Sequence, residues 1–435
     1  MTGFSTRAIH AGAQPDPVTG SRAQPIHQTT SFVFKDADHA ANLFALQEFG
    51  DIYSRIGNPT VSALEARVAD LEGGTMAVGV ASGHAAQLLA MHVLMGPGTN
   101  VVAAKQLYGG SINQLNHAIT KFGWSVKWAD IDDIASFDAA IDENTRMVFS
   151  ESLANPGGLV TDMAKLADIA HNHGLPYVVD NTMASPYLCR PLEHGADIIV
   201  QSLTKFIGGH GNSIGGMIID GGRFDWKARA ARFPTLTEPL PFYNDMVLAD
   251  AFGALPMGPD GAPIDVAFAI AARAYALRDL GPALSPFNAF MILTGCETLP
   301  LRMDKHCSNA LAVAEWLKDH PKVSWVRYAG LAEDPHHALA STYLPRGAGA
   351  VFTFGLSGGY DAGKALVSGT SLFSHLANIG DTRSLIIHPA STTHSQLTDA
   401  QKTAAGAAPD TVRLSVGIED PADIIADLDQ ALAAI

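Results

Sequence analysis

The sequence is short of cysteine, of positive charge and of uninterrupted apolar runs, and each shortage excludes something. Cys189, Cys296 and Cys307 are its only cysteines in 435 residues. An odd number at wide, irregular spacing fits neither a disulfide framework nor CxxC-type zinc ligation, and predicts a reducing, cytoplasmic compartment. Lys and Arg number 28 against 43 Asp and Glu, a net charge of −15 with no basic cluster. A phosphate backbone therefore has nothing to hold, and nucleic acid is not an expected partner. The start, MTGFSTRAIHAGAQPD, has no apolar h-region, so no secretory signal is expected. The longest apolar stretch, Met76 to Gly96, carries Ser82, His84, Gln87 and His92 and is broken by Gly79 and Gly83. It reads as a buried strand followed by a helix, not as a membrane span. None of the 17 histidines falls in an HExxH pattern, so no metal site is expected. The pair His171 and His173, at a predicted helix end, suits the helix dipole better than a metal. No GxGxxG or GxxxxGK[ST] follows a predicted strand, which argues against a nucleotide-binding protein.

What is present is apolar: 47% hydrophobic residues against 16% charged, the composition of a compact folded chain of two or three domains. Residues 1–60, rich in Pro, Gly, Thr and Gln, read as an extended arm with a short helix near His39 to Phe49. Residues 61–284 read as a large α/β domain. MAVGV, NVVAA, SVKWA, RMVFS, PYVVD, DIIVQ and GMIID are β-prone runs, interleaved with helical stretches such as Ala85–Met95, Ser111–Lys121 and Asp162–His173. That alternation predicts a mostly parallel seven-stranded sheet with helical crossovers. The rhythm fails over 224–284, which reads as an insertion. Residues 285–435 read as a smaller α+β domain: one long helical pattern from Ser285 to Asp319, strands in VSWVRY, GAVFTF and TVRLSV, and a last helix Pro421–Ile435. The run AQKTAAGAA at 400–408 reads as exposed surface.

Chemistry concentrates in DIIVQSLTKFIGGHGN, residues 197 to 212, where an apolar strand runs into Ser202, Thr204, Lys205 and a glycine-rich turn. A lysine there suits a group that bonds to a carbonyl cofactor as a Schiff base, because such lysines work with a lowered pKa. It could equally be an ordinary strand-end lysine, and this segment alone leaves both open. Ser202 and Thr204 stand two apart, so in an extended segment both hydroxyls face one side, as a phosphate requires. Asp180 ends another strand at the edge where α/β sheets bind ligands. There a carboxylate can pair with a pyridinium nitrogen and keep the ring an electron sink. At VASGHAAQ, Ser82, Gly83 and the N–H groups of a helix start form a natural phosphate cradle.

Taken together, these segments resemble a known family. Asp197-x(4)-Ser202-x-Thr204-Lys205-Phe206-Ile207-x-Gly209-His210, Tyr53-Ser54-Arg55-x-x-Asn58-Pro59-Thr60, Tyr108-Gly109-Gly110 and Asp180-Asn181-Thr182 are similar to motifs of the Cys/Met-metabolism family of pyridoxal-phosphate enzymes, in the same order and over nearly the whole chain. The resemblance implies a fold-type I transferase with pyridoxal 5′-phosphate as cofactor. It implies Lys205 as the cofactor-binding, proton-shuttling lysine, Asp180 as partner of the ring nitrogen and Tyr108 as the residue stacked on the ring. Ser82, Gly83, the backbone of His84, Ser202 and Thr204 would hold the phosphate, joined by Tyr53 and Arg55 from a neighbouring subunit, in a homo-oligomer that in this family is usually a tetramer. Asn155 would sit near the ring hydroxyl and the substrate, and Arg413 would take the substrate α-carboxylate, with Ser384 as a further substrate contact.

The insertion with Phe224 to Trp226, Phe233-Pro234 and Tyr243, the run at 278–302 and GDTRSLIIHPASTTHSQL at 380–397 look like the O-acetylhomoserine sulfhydrylase branch. The expected reaction is γ-replacement, from O-acetyl-L-homoserine and sulfide to L-homocysteine and acetate, a step of methionine biosynthesis. Sister activities on the same scaffold are the alternative: O-succinylhomoserine sulfhydrylase, cystathionine γ-synthase or γ-lyase. Two departures stand out. His84 occupies a position where relatives carry Gln or Met, and Gly110 one where methionine γ-lyases carry a cysteine.

Overall fold

A computed structural model describes every residue except Met1, Pro259, Asp260, His394, Gln396, Leu397, Ala400, Gln401, Thr403, Ala404 and Ala405. The end of the 380–397 run and most of AQKTAAGAA thus lie outside the described residues. Ala407, in the latter run, is fully buried, against the expectation of exposure.

All seven β-prone runs are strands: β1 (Met76–Val80), β2 (Asn100–Ala104), β3 (Ser125–Ala129), β4 (Thr145–Glu151), β5 (Tyr177–Asp180), β6 (Ile198–Ser202) and β7 (Gly216–Asp220). They form one sheet in the order β1-β7-β6-β5-β4-β2-β3. Only β7 runs against the others. Its central strands are near-continuous apolar runs because helices cover both faces. One such helix, Pro59–Glu72, starts on Asn58, whose side chain accepts from Thr60 N–H, has Pro59 at its first position and stops at Gly73 with φ +82°. Each is a terminus signal that the sequence states outright.

Two helical expectations change. The stretch around Ser111 to Lys121 winds three ways, as an α-turn Gly109–Asn113, a π-turn Gln114–Ala118 and a 3₁₀ turn Ile119–Phe122. A segment this short does not distinguish periods of 3.0, 3.6 and 4.4. The pattern from Ser285 to Asp319 breaks at Thr298 into helices Pro286–Glu297 and Leu299–Lys318. Pro300, in the first turn of the second helix, has no N–H with which to continue the first. The arm carries a helix Phe4–His10 that the composition hid. It docks on Pro59–Glu72 through Arg7, which pairs with Asp70 at 2.7 Å, and through the buried Arg67, which donates to the carbonyls of Ala8 and Ala11.

A second sheet holds β8 (Val323–Arg327), β9 (Val351–Leu356), β10 (Ser374–His375), β11 (Leu385–Ile387) and β12 (Thr411–Ser415) in the order β10-β11-β12-β9-β8. Strands of two and three residues such as β10 and β11 are too short to show a period. The last helix is Pro421–Ala433. Among the described residues no helix is long and apolar enough to cross a membrane.

Candidate active site

Glu151, Asp180 and Ser202 are the last residues of β4, β5 and β6, so the strands aim all three at one edge of the large sheet. A cleft of about 260 Å³ opens there, closed on its far side by Asn378 and Arg413 of the smaller α/β unit. The carboxyl edge of a parallel sheet is where such a cleft belongs, because the strands end and the chain turns away into helices on opposite faces.

At one end of the cleft the backbone comes unusually close to itself. Ser82 caps the helix Gly83–Leu94, its Oγ accepting from Ala85 N–H at 3.2 Å. A Cβ on Gly83 would lie 2.7 Å from the Ser202 Cβ, and one on Gly216 2.0 Å from the Ser82 carbonyl oxygen. Glycine at both places lets a helix start, with its unpaired N–H groups and positive dipole end, sit directly against the end of β6. Thr204 also lines the cleft, but the alternation argument for it does not hold. The strand ends at Ser202, and the Thr204 hydroxyl donates to Gly215 O at 3.2 Å and accepts from Gly215 N–H at 3.1 Å.

The opposite end is cationic. Lys205 Nζ donates to Asn378 Oδ1 at 2.5 Å. Burial, and then the charge of Arg413, lower its pKa to about 8. Arg413 is itself buried, which brings its pKa down to about 10 and leaves it charged. It donates to Asn155 Oδ1 at 3.1 Å and to Asn378 O at 3.2 Å, while its Nε has no partner among the described residues. A buried guanidinium with an unused N–H is an anion site.

Two buried acids stand between these ends. Asp180 accepts from Gln87 Nε2 at 3.0 Å and from Thr182 N–H at 2.9 Å. Burial still raises its pKa. Glu151 accepts from the N–H groups of Tyr108 at 2.7 Å and Asn155 at 2.8 Å, and burial followed by the charge of Asp180 pushes it well up. Two adjacent buried carboxyls do not both ionise. Burial raises both, and Glu151 is pushed further because it also faces Asp180, while Gln87 and Thr182 donate to Asp180 and oppose its rise. The Tyr108 ring is half-exposed at the cleft, 5.8 Å from the His84 ring between centroids.

Ser82, Gly83, His84, Tyr108, Asn155, Asp180, Ser202, Thr204, Lys205 and Arg413 thus share one cleft. Ser384 does not line it. Its hydroxyl donates to Glu419 Oε2 at 2.9 Å and accepts from Gly417 N–H at 2.9 Å, so the expected substrate contact is spent inside the fold. Tyr53 and Arg55 are exposed elsewhere on this chain, the guanidinium 5.5 Å from the Tyr53 ring. His171 and His173 pair with Asp197 at 2.8 Å and Asp138 at 2.6 Å, partners more specific than a helix dipole. Sequence reading missed Glu151, Gln87, Thr182 and Asn378. Glu151 ends a strand just as Asp180 does, and Gln87 lies one turn beyond Gly83, so both carried a signal. Asn378 sits in a loop and carried none.

The family model of Cys/Met metabolism PLP-dependent enzymes matches residues 5–433. The chain belongs to this family. It is 51% identical over 99% of its length to an O-acetyl-L-homoserine sulfhydrylase of Leptospira meyeri, covering 96% of that protein. Against O-acetyl-L-homoserine sulfhydrylase 1 of Thermus thermophilus it is 49% identical, with 99% of this chain and 100% of that one covered. Among solved structures, a provisionally assigned O-acetylhomoserine (thiol)-lyase from Campylobacter jejuni superposes with a TM-score of 0.93 at 38% identity, covering 99% of this chain and all of that one. That protein carries N′-pyridoxyl-lysine-5′-monophosphate at its position 205. The cleft fits the family's cofactor on its own chemistry. A helix start that opens on Gly83 suits a phosphate, the buried carboxyl of Asp180 suits a protonated ring nitrogen, and a lysine of lowered pKa suits a carbonyl carbon.

Proposed function

We infer that this chain is a pyridoxal-phosphate-dependent transferase that converts O-acetyl-L-homoserine and sulfide to L-homocysteine and acetate. The observation that carries the reading is one cleft holding Lys205, Asp180 and Arg413 in a chain similar throughout to O-acetylhomoserine sulfhydrylases. Pyridoxal phosphate, when bound, supplies the electrophilic carbon that captures the substrate amine and the ring that absorbs its Cα electrons.

The chain's own residues supply the rest. Ser82, Gly83, His84 through its backbone and Ser202 would hold the phosphate, with Thr204 beside them, its hydroxyl already bonded to Gly215, and Asp180 would hold the proton on the ring nitrogen. Tyr108 would cover the ring, held in place by the bond from its N–H to Glu151. Asn155 would face the ring hydroxyl while its Oδ1 fixes Arg413. Arg413 would take the α-carboxylate with a planar fork that lysine lacks. Lys205 Nζ, with its pKa lowered to about 8, would remove the Cα proton and move protons as acetate leaves Cγ and sulfide adds there.

Among the described residues lining the cleft, Lys205 and Arg413 are the only lysine or arginine, and both are used. Ile214, Ala377 and Ile379 add apolar wall, beside Met183, Ser111 and Thr393. That lining suits an uncharged acetyl ester better than a succinyl ester with a second carboxylate. Tyr53 and Arg55, exposed and outside the cleft of their own chain, would serve a neighbouring copy, so we place the active form as a homo-oligomer, a tetramer of paired dimers, working on methionine biosynthesis. The three buried free cysteines suit a reducing, cytoplasmic setting.

The test is homocysteine formation by the cofactor-loaded protein, given sulfide with either O-acetyl- or O-succinyl-homoserine and with cysteine as a competing nucleophile. Product from the acetyl ester and sulfide, lost in Lys205→Ala, is expected. Better turnover of the succinyl ester, or of cysteine, would overturn the substrate assignment.

A further inference from the structure

Segment 224–284 reads from the sequence only as an insertion, without a function of its own. Its last part makes a specific contact inside the chain. Arg273 donates to Ile56 O at 2.7 Å, to Ala77 O at 3.2 Å and to Glu65 Oε2 at 2.7 Å. The Arg273 and Glu65 side chains are 16% and 8% exposed. The other oxygen of Glu65 accepts from Gly79 N–H at 2.7 Å. Five residues on, the Arg278 carbonyl accepts from Arg55 Nη1. The turn bearing Tyr53 and Arg55 is held from its other side by Ser54 N–H on Thr30 O at 2.9 Å and by Asn58 Nδ2 on Ser54 Oγ at 3.1 Å. Two exposed side chains, an aromatic and an arginine, thus stand on a backbone clamped from both sides.

We propose that the buried Arg273–Glu65 ion pair is a positioning device for the Tyr53–Arg55 turn, and that segment 224–284 serves as an internal buttress for the residues one copy lends to the cofactor site of the next. This rests on the reading that Tyr53 and Arg55 act on a neighbouring subunit. The physical argument is preorganisation. An exposed arginine on a free loop loses conformational freedom when it meets an anion, whereas one on a fixed turn does not. A planar guanidinium spans the Ile56 carbonyl and the Glu65 carboxylate at once, and an ammonium does not. Arg273 touches neither cofactor nor substrate and is a positioning residue.

The experiment compares the full-length, cofactor-loaded oligomer of the wild type with Arg273→Lys, the double variant Glu65→Gln/Arg273→Met, and Arg55→Ala. The double variant leaves no uncompensated buried charge, which keeps the fold testable where Arg273→Met alone would strand Glu65. Three quantities are read: the pyridoxal-phosphate dissociation constant, thermal midpoint and amide exchange over residues 52–57. Expected are near-wild-type midpoints for Arg273→Lys and the double variant, faster exchange over the turn in both, and a cofactor dissociation constant raised about tenfold, as for loss of one charge-assisted contact. If both Arg273 variants keep wild-type exchange and cofactor affinity while Arg55→Ala weakens binding, the inference falls and the reading of Tyr53 and Arg55 stands. If Arg55→Ala binds cofactor as tightly as wild type, that reading falls and takes the inference with it.

Discussion

Replacing Gly83 with alanine should separate the stability of the chain from its grip on the cofactor. Gly83 is the first residue of the helix Gly83–Leu94, where alanine is favoured over glycine by less than the ~1 kcal/mol of a helix interior. The added Cβ would lie 2.7 Å from the Ser202 Cβ, about 0.7 Å short of the 3.4 Å at which ordinary contact begins. The atoms it meets belong to the backbone and Cβ of Ser202, which β6 fixes, so the helix start must give way. A retreat of that size lengthens the N–H bonds from the helix start to a phosphate and weakens them. Hydrogen bonds to charged groups contribute about 1.5–3 kcal/mol, so losing one corresponds to roughly a ten- to hundredfold weaker cofactor. Thermal unfolding of the apoprotein should move little, since propensity gain and steric loss oppose each other. The assay is titration of apoprotein with pyridoxal phosphate, followed by absorbance, beside the apoprotein melting curve. Wild-type cofactor affinity in Gly83→Ala would refute the close-packed cradle, and so would a collapse of apoprotein stability with affinity intact.

Further expectations follow from the same geometry. Arg413→Lys should raise KM for the amino-acid substrate about ten- to hundredfold with a smaller effect on kcat, because a point charge replaces a fork; an unchanged KM would remove Arg413 from carboxylate binding. Cofactor loading at subsaturating pyridoxal phosphate should speed up as pH rises through about 8, where Lys205 loses its proton, and stopped-flow rates between pH 6 and 9 that stay flat would contradict the lowered pKa. Glu72 is fully buried and its pKa is raised to about 8 by that burial. The unfolded chain ionises this carboxyl near its ordinary value while the folded chain keeps it neutral, so it lowers stability progressively between roughly pH 4.5 and 8. Glu72→Gln should flatten that decline and raise the melting temperature most at pH 8, and an equal shift at pH 5 would argue against it. Cys189, Cys296 and Cys307 are buried with pKa values raised by burial, so thiol reagents should leave the native protein unmodified and react only on unfolding, as mass spectrometry would show.

What the sequence revealed depended on whether the deciding interaction is local. The strands of the large sheet were readable because all but the edge strand β3 are runs buried on both faces, and helix ends such as Asn58-Pro59 and Gly73 carry their own termini. Lys205, Asp180 and Gly83 were readable because strand ends and helix starts are local features. Thr204 was misread because the strand stops two residues earlier, and a hydroxyl in a turn finds Gly215, eleven positions on. Ser384 was misassigned because its partner, Glu419, is 35 residues away and nothing in either segment announces the other. Asn378 bonds to Lys205 across 173 residues and was invisible for the same reason.

The order of strands across the large sheet also has a consequence for the newly made chain. β1, the first strand synthesised, has β7, the last of the sheet, as its strand neighbour, so Val80 meets Gly216 only after the five strands between them have emerged. The phosphate cradle is built across that seam, with the Ser82 carbonyl against Gly216. A chain halted before residue 220 therefore has no cradle, whatever else it has folded. A ligand held at that helix start therefore meets its complete site only after the least local pairing of the sheet has closed.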